Sequence, residues 1–249
     1  MIASTVTLDE RPDLIAAMWA MPHTWPAYMH EDPVSNVFFG RIAEAFPEYQ
    51  LVGLDEHGAV VGKVNSVPFA WVGTDDDLPE RGWDAILERA FIERDRGERP
   101  TAVSLLEARV IPAHRGEGLS YRLLQAARRN VQRLGLSDLF GPVRPTAKSQ
   151  EPRTPMSEYV ARVRSDGLPV DPWLRVHVRM GARIVKVCPL SMIVPGSLAR
   201  WREWTGLPMT DSGLLDVPEA LVPVHVSVEH DHAVYVEPNV WLHHALSTT

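Results

Sequence analysis

Short blocks of apolar and polar positions alternate along the chain in the manner of a mixed α/β domain. Thr5-Val6-Thr7-Leu8 predicts a short first strand. Asp9 or Asp13 then caps a helix carrying Leu14, Ile15, Met18 and Trp19, with Pro12 tolerable in its first turn. Pro22 and Pro26 bound an aromatic loop that runs to His30, and a second helix is expected from about Ser35 to Ala45, before Pro47. Gln50–Asp55 and Ala59–Val67 predict a hairpin turning at Glu56-His57-Gly58. Residues 73–84 are rich in Asp, Gly and Pro and predict an exposed loop, followed by a helix near Trp83–Arg94.

The most informative stretch is Ser104–Leu124. Leu105, Leu106, Val110 and Ile111 suit a buried strand, which Pro112 ends by withholding a donor. From Leu119 the apolar positions Leu119, Leu123, Ala127, Val131 and Leu134 share one helical face, stopped at Gly135. Between strand and helix, Arg115-Gly116-Glu117-Gly118 would set backbone N–H groups and a guanidinium at a helix N-terminus, a geometry that binds phosphate. No lysine follows Gly118, which excludes a Walker loop. Tyr121 stands where a dinucleotide fingerprint needs its third glycine.

Downstream, Asp138–Arg144 predicts a strand whose Gly141 and Pro142 suggest a bulge or a sheet edge. Residues 145–170 read as a proline-punctuated insertion with a helix around Met156–Arg164. Asp171-Pro172 is a strong helix start, and that helix stops at Gly181. Two strands, Ile184–Cys188 and Ser191–Val194, and a helix capped by Ser197 and ended by Gly206 follow. Val222, Val224, Val226 and Val228 alternate as in a half-buried strand, an edge suited to pairing with a second copy in a homodimer.

Arg115-Gly-Glu-Gly118-Leu-Ser120, with Val110-Ile-Pro112 in front, resembles the acyl-CoA-binding motif of the GNAT superfamily of N-acetyltransferases. Ser120 stands where Gly or Ala is usual. The family's second signature is matched at Gly181, whereas Ala182 replaces the usual Phe. The resemblance covers roughly residues 5–194. It implies an α+β fold with a mixed, mostly antiparallel central sheet flanked by helices. Residues 1–205 would form the acyltransferase unit, elaborated near 73–100 and 145–170, with 206–249 as a β-rich extension packed on it.

The same resemblance implies acetyl-CoA, or another acyl-CoA, as co-substrate and direct attack by a primary amine on a small molecule. Arg109, Val110 and Ile111 would lie beside the pantetheine arm. Arg115, Gly116, Glu117, Gly118, Leu119 and Ser120 would hold the pyrophosphate. Trp25, Tyr28 and Met29 fall in the segment that lines the acceptor pocket. Glu107, alone in an apolar run, is expected to have a raised pKa and to serve as general base, or else to pair with Arg109 or Arg122. His177 occupies the place of the family's thiolate-protonating tyrosine, and also fits a hydrogen-bonded core histidine. Arg144 and Lys148 are candidates for an anionic acceptor or the adenosine phosphate. A non-catalytic CoA-binding sensor, or an acyltransferase fed by a carrier-protein thioester, stays open at this point.

Composition narrows the picture. The net charge of −7 gives no global attraction to nucleic acid or acidic membranes. One cysteine, Cys188, excludes an intrachain disulfide and a multi-cysteine metal centre. His225, His230, Asp231, His232, His243 and His244 crowd the C-terminal segment; surface or interface histidines are expected there, and no metal. No signal peptide or apolar run of about 20 residues is evident, so a cytoplasmic location is expected.

Overall fold

A computed structural model describes residues 2–114 and 117–246. Its strands are β1 (Ser4–Thr7), β2 (Leu51–Leu54), β3 (Val60–Phe69), β4 (Ala102–Val110), β5 (Asp138–Val143), β6 (Arg183–Ser197), β7 (Gly213–Leu215), β8 (Val224–Ser227) and β9 (His232–Ala245). They form one sheet in the order β1-β2-β3-β4-β5-β9-β8-β7, with β6 paired to the other edge of β9. All pairings are antiparallel except β4 with β5. The helices are α1 (Ile15–Trp19), α2 (Pro33–Phe38), α3 (Ile42–Ala45), α4 (Gly82–Asp95), α5 (Leu119–Arg133), α6 (Met156–Val160), α7 (Pro172–Arg179) and α8 (Leu198–Thr205).

Two helices clamp the centre of the sheet. Helix α5 buries Leu119, Leu123, Ala127 and Val131, the stripe read from the sequence. It lies so close to the sheet that a Cβ on Gly62 would meet the Leu123 side chain at 2.9 Å and the Arg109 carbonyl at 3.2 Å, a contact that glycine avoids. Helix α4 buries Trp83, Ile86, Leu87, Ala90 and Phe91, and its first turn is fastened to β6 by a 2.9 Å bond from Trp83 N–H to Ser191 Oγ.

Several expectations change. Strand β5 is neither an edge nor bulged against β9; it lies between β4 and β9, with Gly141 and Pro142 opposite Leu242 and Trp241. Strand β9, unforeseen, carries β6 along one edge and β5 and β8 along the other. The valine strand β8 pairs on both sides, with β7 and β9, so its edges are not free for a second copy. The two strands expected at 184–194 are one strand, β6, with a register shift between Cys188 and Met192. The helix expected at 35–45 is broken by a tight turn at Phe39–Arg41. No helix among the described residues is long and apolar enough to cross a membrane.

Candidate active site

The site begins where β4 and β5 part. These parallel strands pair only at Val103–Leu139 and Ser104–Phe140, although β4 continues to Val110 and β5 to Val143. Opposite β3 the register jumps from Asn65–Glu107 to Ser66–Leu105, leaving Leu106 as a bulge. A bulge bends its strand and increases local twist. The Leu106 carbonyl accepts a 3.0 Å bond from the Trp83 indole instead of a strand partner. The result is a wedge whose β4 wall runs from Leu105 to Val110 without a β5 neighbour.

Helix α5 points its N-terminus toward the turn that follows this wall. Gly118, at φ 72°, adopts the left-handed conformation that favours glycine, and no side chain caps the helix. The first helical bond joins Arg122 N–H to the Gly118 carbonyl, so the N–H groups of Leu119, Ser120 and Tyr121 lie outside the helical ladder. Glu117 is exposed and pairs with His114 at 3.1 Å. Arg115 and Gly116 lie outside the described residues.

Around Glu107 three cationic or polar groups converge. Its Oε2 is 2.8 Å from Lys63 Nζ, its Oε1 accepts from Arg109 Nε at 2.8 Å, and Trp25 Nε1 donates to Oε1 at 3.1 Å. The Lys63 side chain is 1% exposed and that of Glu107 7%. Burial opposes ionisation of Glu107, but Lys63 and Arg109 outweigh it and hold the carboxyl below the usual carboxylate range. The expected raised pKa is therefore corrected. Glu107 is an anion engaged by Lys63, Arg109 and Trp25. Arg109 also donates to the Met21 carbonyl at 3.1 Å, so β4 grips the loop that carries Trp25.

A second network faces Trp25 from the C-terminal half. The Arg144 guanidinium lies 5.5 Å from the Trp25 ring, donates to Glu237 Oε2 at 2.9 Å and reaches the Glu219 carbonyl. Glu237 also accepts from Tyr235 Oη at 2.9 Å and Asn239 Nδ2 at 3.0 Å, and Asn239 in turn accepts from Ser191 Oγ at 2.6 Å. Sequence reading missed Lys63, Tyr235, Glu237 and Asn239. A signal existed: Lys63 is the one charge in its apolar strand, and Glu107 stands with Arg109 in an apolar run on the neighbouring strand.

No family model matches the chain. It is 33% identical to the arginine N-acetyltransferase avaD of Aspergillus versicolor, across 98% of this chain and 94% of that one. The chain belongs to the GNAT superfamily of N-acetyltransferases. Two solved structures share its fold at a TM-score of 0.60. The loading GNATL domain of CurA from Lyngbya majuscula is 18% identical, with 97% of this chain and 96% of that one covered. The GphF GNAT-like decarboxylase, seen with isobutyryl-CoA, is 22% identical, with 98% and 100% covered.

The GNAT protein is an acyl-CoA-dependent N-acyltransferase, and its wedge and uncapped helix fit that substrate: strand backbone without a β5 partner for an amide-bearing arm, and N–H groups outside the helical ladder for phosphate. Other expected site residues lie elsewhere. Tyr28 and Met29 are buried at 2% and 6% exposure, and Tyr28 stacks on Trp201, so both belong to the core rather than to an open acceptor pocket. Trp25, 37% exposed, stays at the surface of the wedge. The N–H of Ile111 is spent on β3, donating to the Val61 carbonyl at 3.0 Å, whereas Val110, opposite Gly62 in the next pair, stays on the wedge wall. Lys148 is fully buried on the carbonyls of Glu151, Pro152 and Leu221 and cannot meet an anionic ligand.

His177 is buried against Trp173 and hydrogen-bonds His244 at 3.0 Å, so the C-terminal histidines are not all at the surface. Burial, reinforced by His244, pushes the His177 pKa well down, so it has no proton to spare as an imidazolium for a thiolate. His244 is lowered to about 4 by burial and by Arg128 and His243. In the unfolded chain both ionise near 6.5, so the unfolded state binds more protons below that pH. Stability held by the neutral pair is expected to be lost as pH falls from about 6.5 to about 4. In melting curves across this range, wild type should lose roughly 2–3 kcal/mol relative to His244→Gln; parallel curves would contradict this.

Proposed function

We propose that this acetyltransferase moves acetyl from acetyl-CoA to the α-amine of arginine or a closely related guanidino amine. The near-full-length similarity to an arginine N-acetyltransferase carries this reading. A guanidinium keeps its proton at neutral pH, which leaves the α-amine as the nucleophile. The exposed Trp25 ring, with the exposed Glu219 and half-buried Glu31 on neighbouring segments, suits a cationic side chain through cation–π and ionic attraction.

In this account the β4 backbone between Leu105 and Val110 orders the pantetheine arm and polarises the thioester carbonyl. The N–H groups of Leu119 and Ser120 take the pyrophosphate, and Arg115 and Gly116, just before them in sequence, complete the motif. Glu107 does not react; it fixes Arg109 and Trp25. A competition assay among arginine, agmatine, ornithine and glutamine tests the acceptor. Arginine should exceed glutamine in kcat/KM by at least about tenfold, the worth of one retained charged contact; a preference for glutamine would overturn the acceptor assignment. Trp25→Ala should raise the arginine KM by a similar factor and leave acetyl-CoA affinity unchanged.

A further inference from the structure

Lys63, Arg109 and Arg144 bring positive charge to the wedge, and they differ in how far their donors are engaged. Lys63 is buried against Glu107. Every nitrogen of the Arg109 guanidinium has a partner: Nε and Nη2 donate to Glu107, and Nη1 to the Met21 and Pro22 carbonyls. Arg144 is different. Its Nε donates to Glu237 and its Nη2 to the Glu219 carbonyl, and these two bonds leave three of its five N–H donors without a partner among the described residues. Two of the three are on Nη1, and the side chain is half-buried rather than sealed in the core.

Arg144 also stands at the site. It follows Val143, the last residue of β5, across the wedge from the β4 wall. Its guanidinium lies 5.5 Å from the Trp25 ring, and that indole donates to Glu107 of β4 at 3.1 Å. Trp25 therefore links Arg144 to the β4 wall. Glu237 is buried and is held by Tyr235 Oη and Asn239 Nδ2 as well as by Arg144, so it fixes the guanidinium by its inner edge.

We propose that Arg144 binds the carboxylate of the acceptor, so that the substrate is a free α-amino acid rather than a decarboxylated or carboxyl-blocked amine; this rests on the amine-acetylating reading above. A guanidinium keeps its charge at working pH, and its planar N–H pairs match a carboxylate. Glu237 balances the charge of Arg144, so recognition comes from hydrogen bonds to the unengaged donors rather than from excess positive charge. The carboxylate and the α-amine share one carbon. A carboxylate held at Arg144 thus sets the amine at the wedge, near the β4 backbone assigned to the thioester, while the exposed Glu219 faces a substrate that is itself cationic.

The test is steady-state kinetics with acetyl-CoA and three acceptors: arginine, argininamide and agmatine. Argininamide keeps the α-amine and the guanidinium and lacks only the carboxylate. Its amine is the weaker base, so a preference for arginine cannot come from easier deprotonation. Wild type should favour arginine over each of the others by about 10- to 100-fold in kcat/KM, the effect of charge-assisted hydrogen bonds. In Arg144→Gln that preference should vanish, with the loss for arginine residing in KM. Because this variant strands the buried Glu237, the double variant Arg144→Gln/Glu237→Gln, which removes both charges, is measured beside it with a melting curve to confirm the fold. A wild type indifferent between arginine and argininamide, or an undiminished preference in the folded double variant, overturns the role of Arg144. A rise confined to the acetyl-CoA KM would assign the guanidinium to a phosphate of the co-substrate and overturns it as well. A wild type inert toward all three amines overturns the acceptor reading itself.

Discussion

Glu107→Ala is expected to destabilise the fold by about 3–5 kcal/mol, the cost of leaving a buried ion pair half-broken. Lys63, 1% exposed, and Arg109, 16% exposed, would lose the one carboxylate that compensates both. Burial already lowers the Lys63 pKa against the opposing pull of Glu107, so without that partner the lysine is expected to shed its proton or admit water. The same substitution frees Trp25 and removes the inner anchor of Arg109, so the acceptor loop should loosen and the acceptor KM rise at least about tenfold, the effect of a mispositioned binding group. Pairing Glu107→Gln with Lys63→Met removes both charges and should recover much of the stability, since an apolar replacement of a buried pair is often neutral. Denaturant midpoints for the single and double variants measure this. Additive losses, or an unperturbed Glu107→Ala protein, would contradict the buried-pair account.

Asp84→Asn should do the opposite and stabilise the protein at alkaline pH. Asp32 caps α2 through a 2.7 Å bond from Ser35 N–H, and Asp84, in the first turn of α4, accepts from Ile193 N–H at 3.3 Å. Both are buried, and one oxygen of each has no hydrogen-bond partner. Burial, then the facing Asp32, raises the Asp84 pKa to about 8. Both carboxyls ionise near 4 in the unfolded chain. Between these values the folded state holds the extra proton, so stability falls as pH rises from about 4 to about 8. An asparagine needs no proton and donates its amide to Asp32. The stability of Asp84→Asn relative to wild type should therefore grow with pH, reaching roughly 2–4 kcal/mol at pH 9. A difference independent of pH would show that the two aspartates do not share a proton.

Much of the fold was legible because local signals agreed with tertiary packing. The Leu119–Val131 stripe, the turn at Glu56–Gly58, and the caps Asp171 and Ser197 all stand where the sequence put them. Strand β9 was hidden because Glu237, Pro238 and Asn239 interrupt its apolar pattern, and the buried network that holds Glu237 and Asn239 draws on partners distant in sequence, Arg144 and Ser191. Gly141 and Pro142 marked β5 as an edge by their propensities, yet β9 pairs along them. The proposed phosphate turn is readable as a motif, since a backbone N–H site needs small residues in fixed order. The proposed acceptor side is not, because its groups come from β3, β4, the loop at 22–31 and β9. Glu107 shows the difference most clearly: burial was inferable from its apolar neighbours, but the sign of its pKa shift depended on Lys63, a residue on another strand.

The most direct measurement is a stoichiometric one: incubate the protein with acetyl-CoA and arginine, and quantify released CoA thiol and N-acetylarginine from the same sample. One amide formed for each thiol released, both dependent on enzyme and on arginine, is the predicted result. Thiol release without amide, or acetyl-CoA binding without either product across the amine panel, would contradict an amine acetyltransferase.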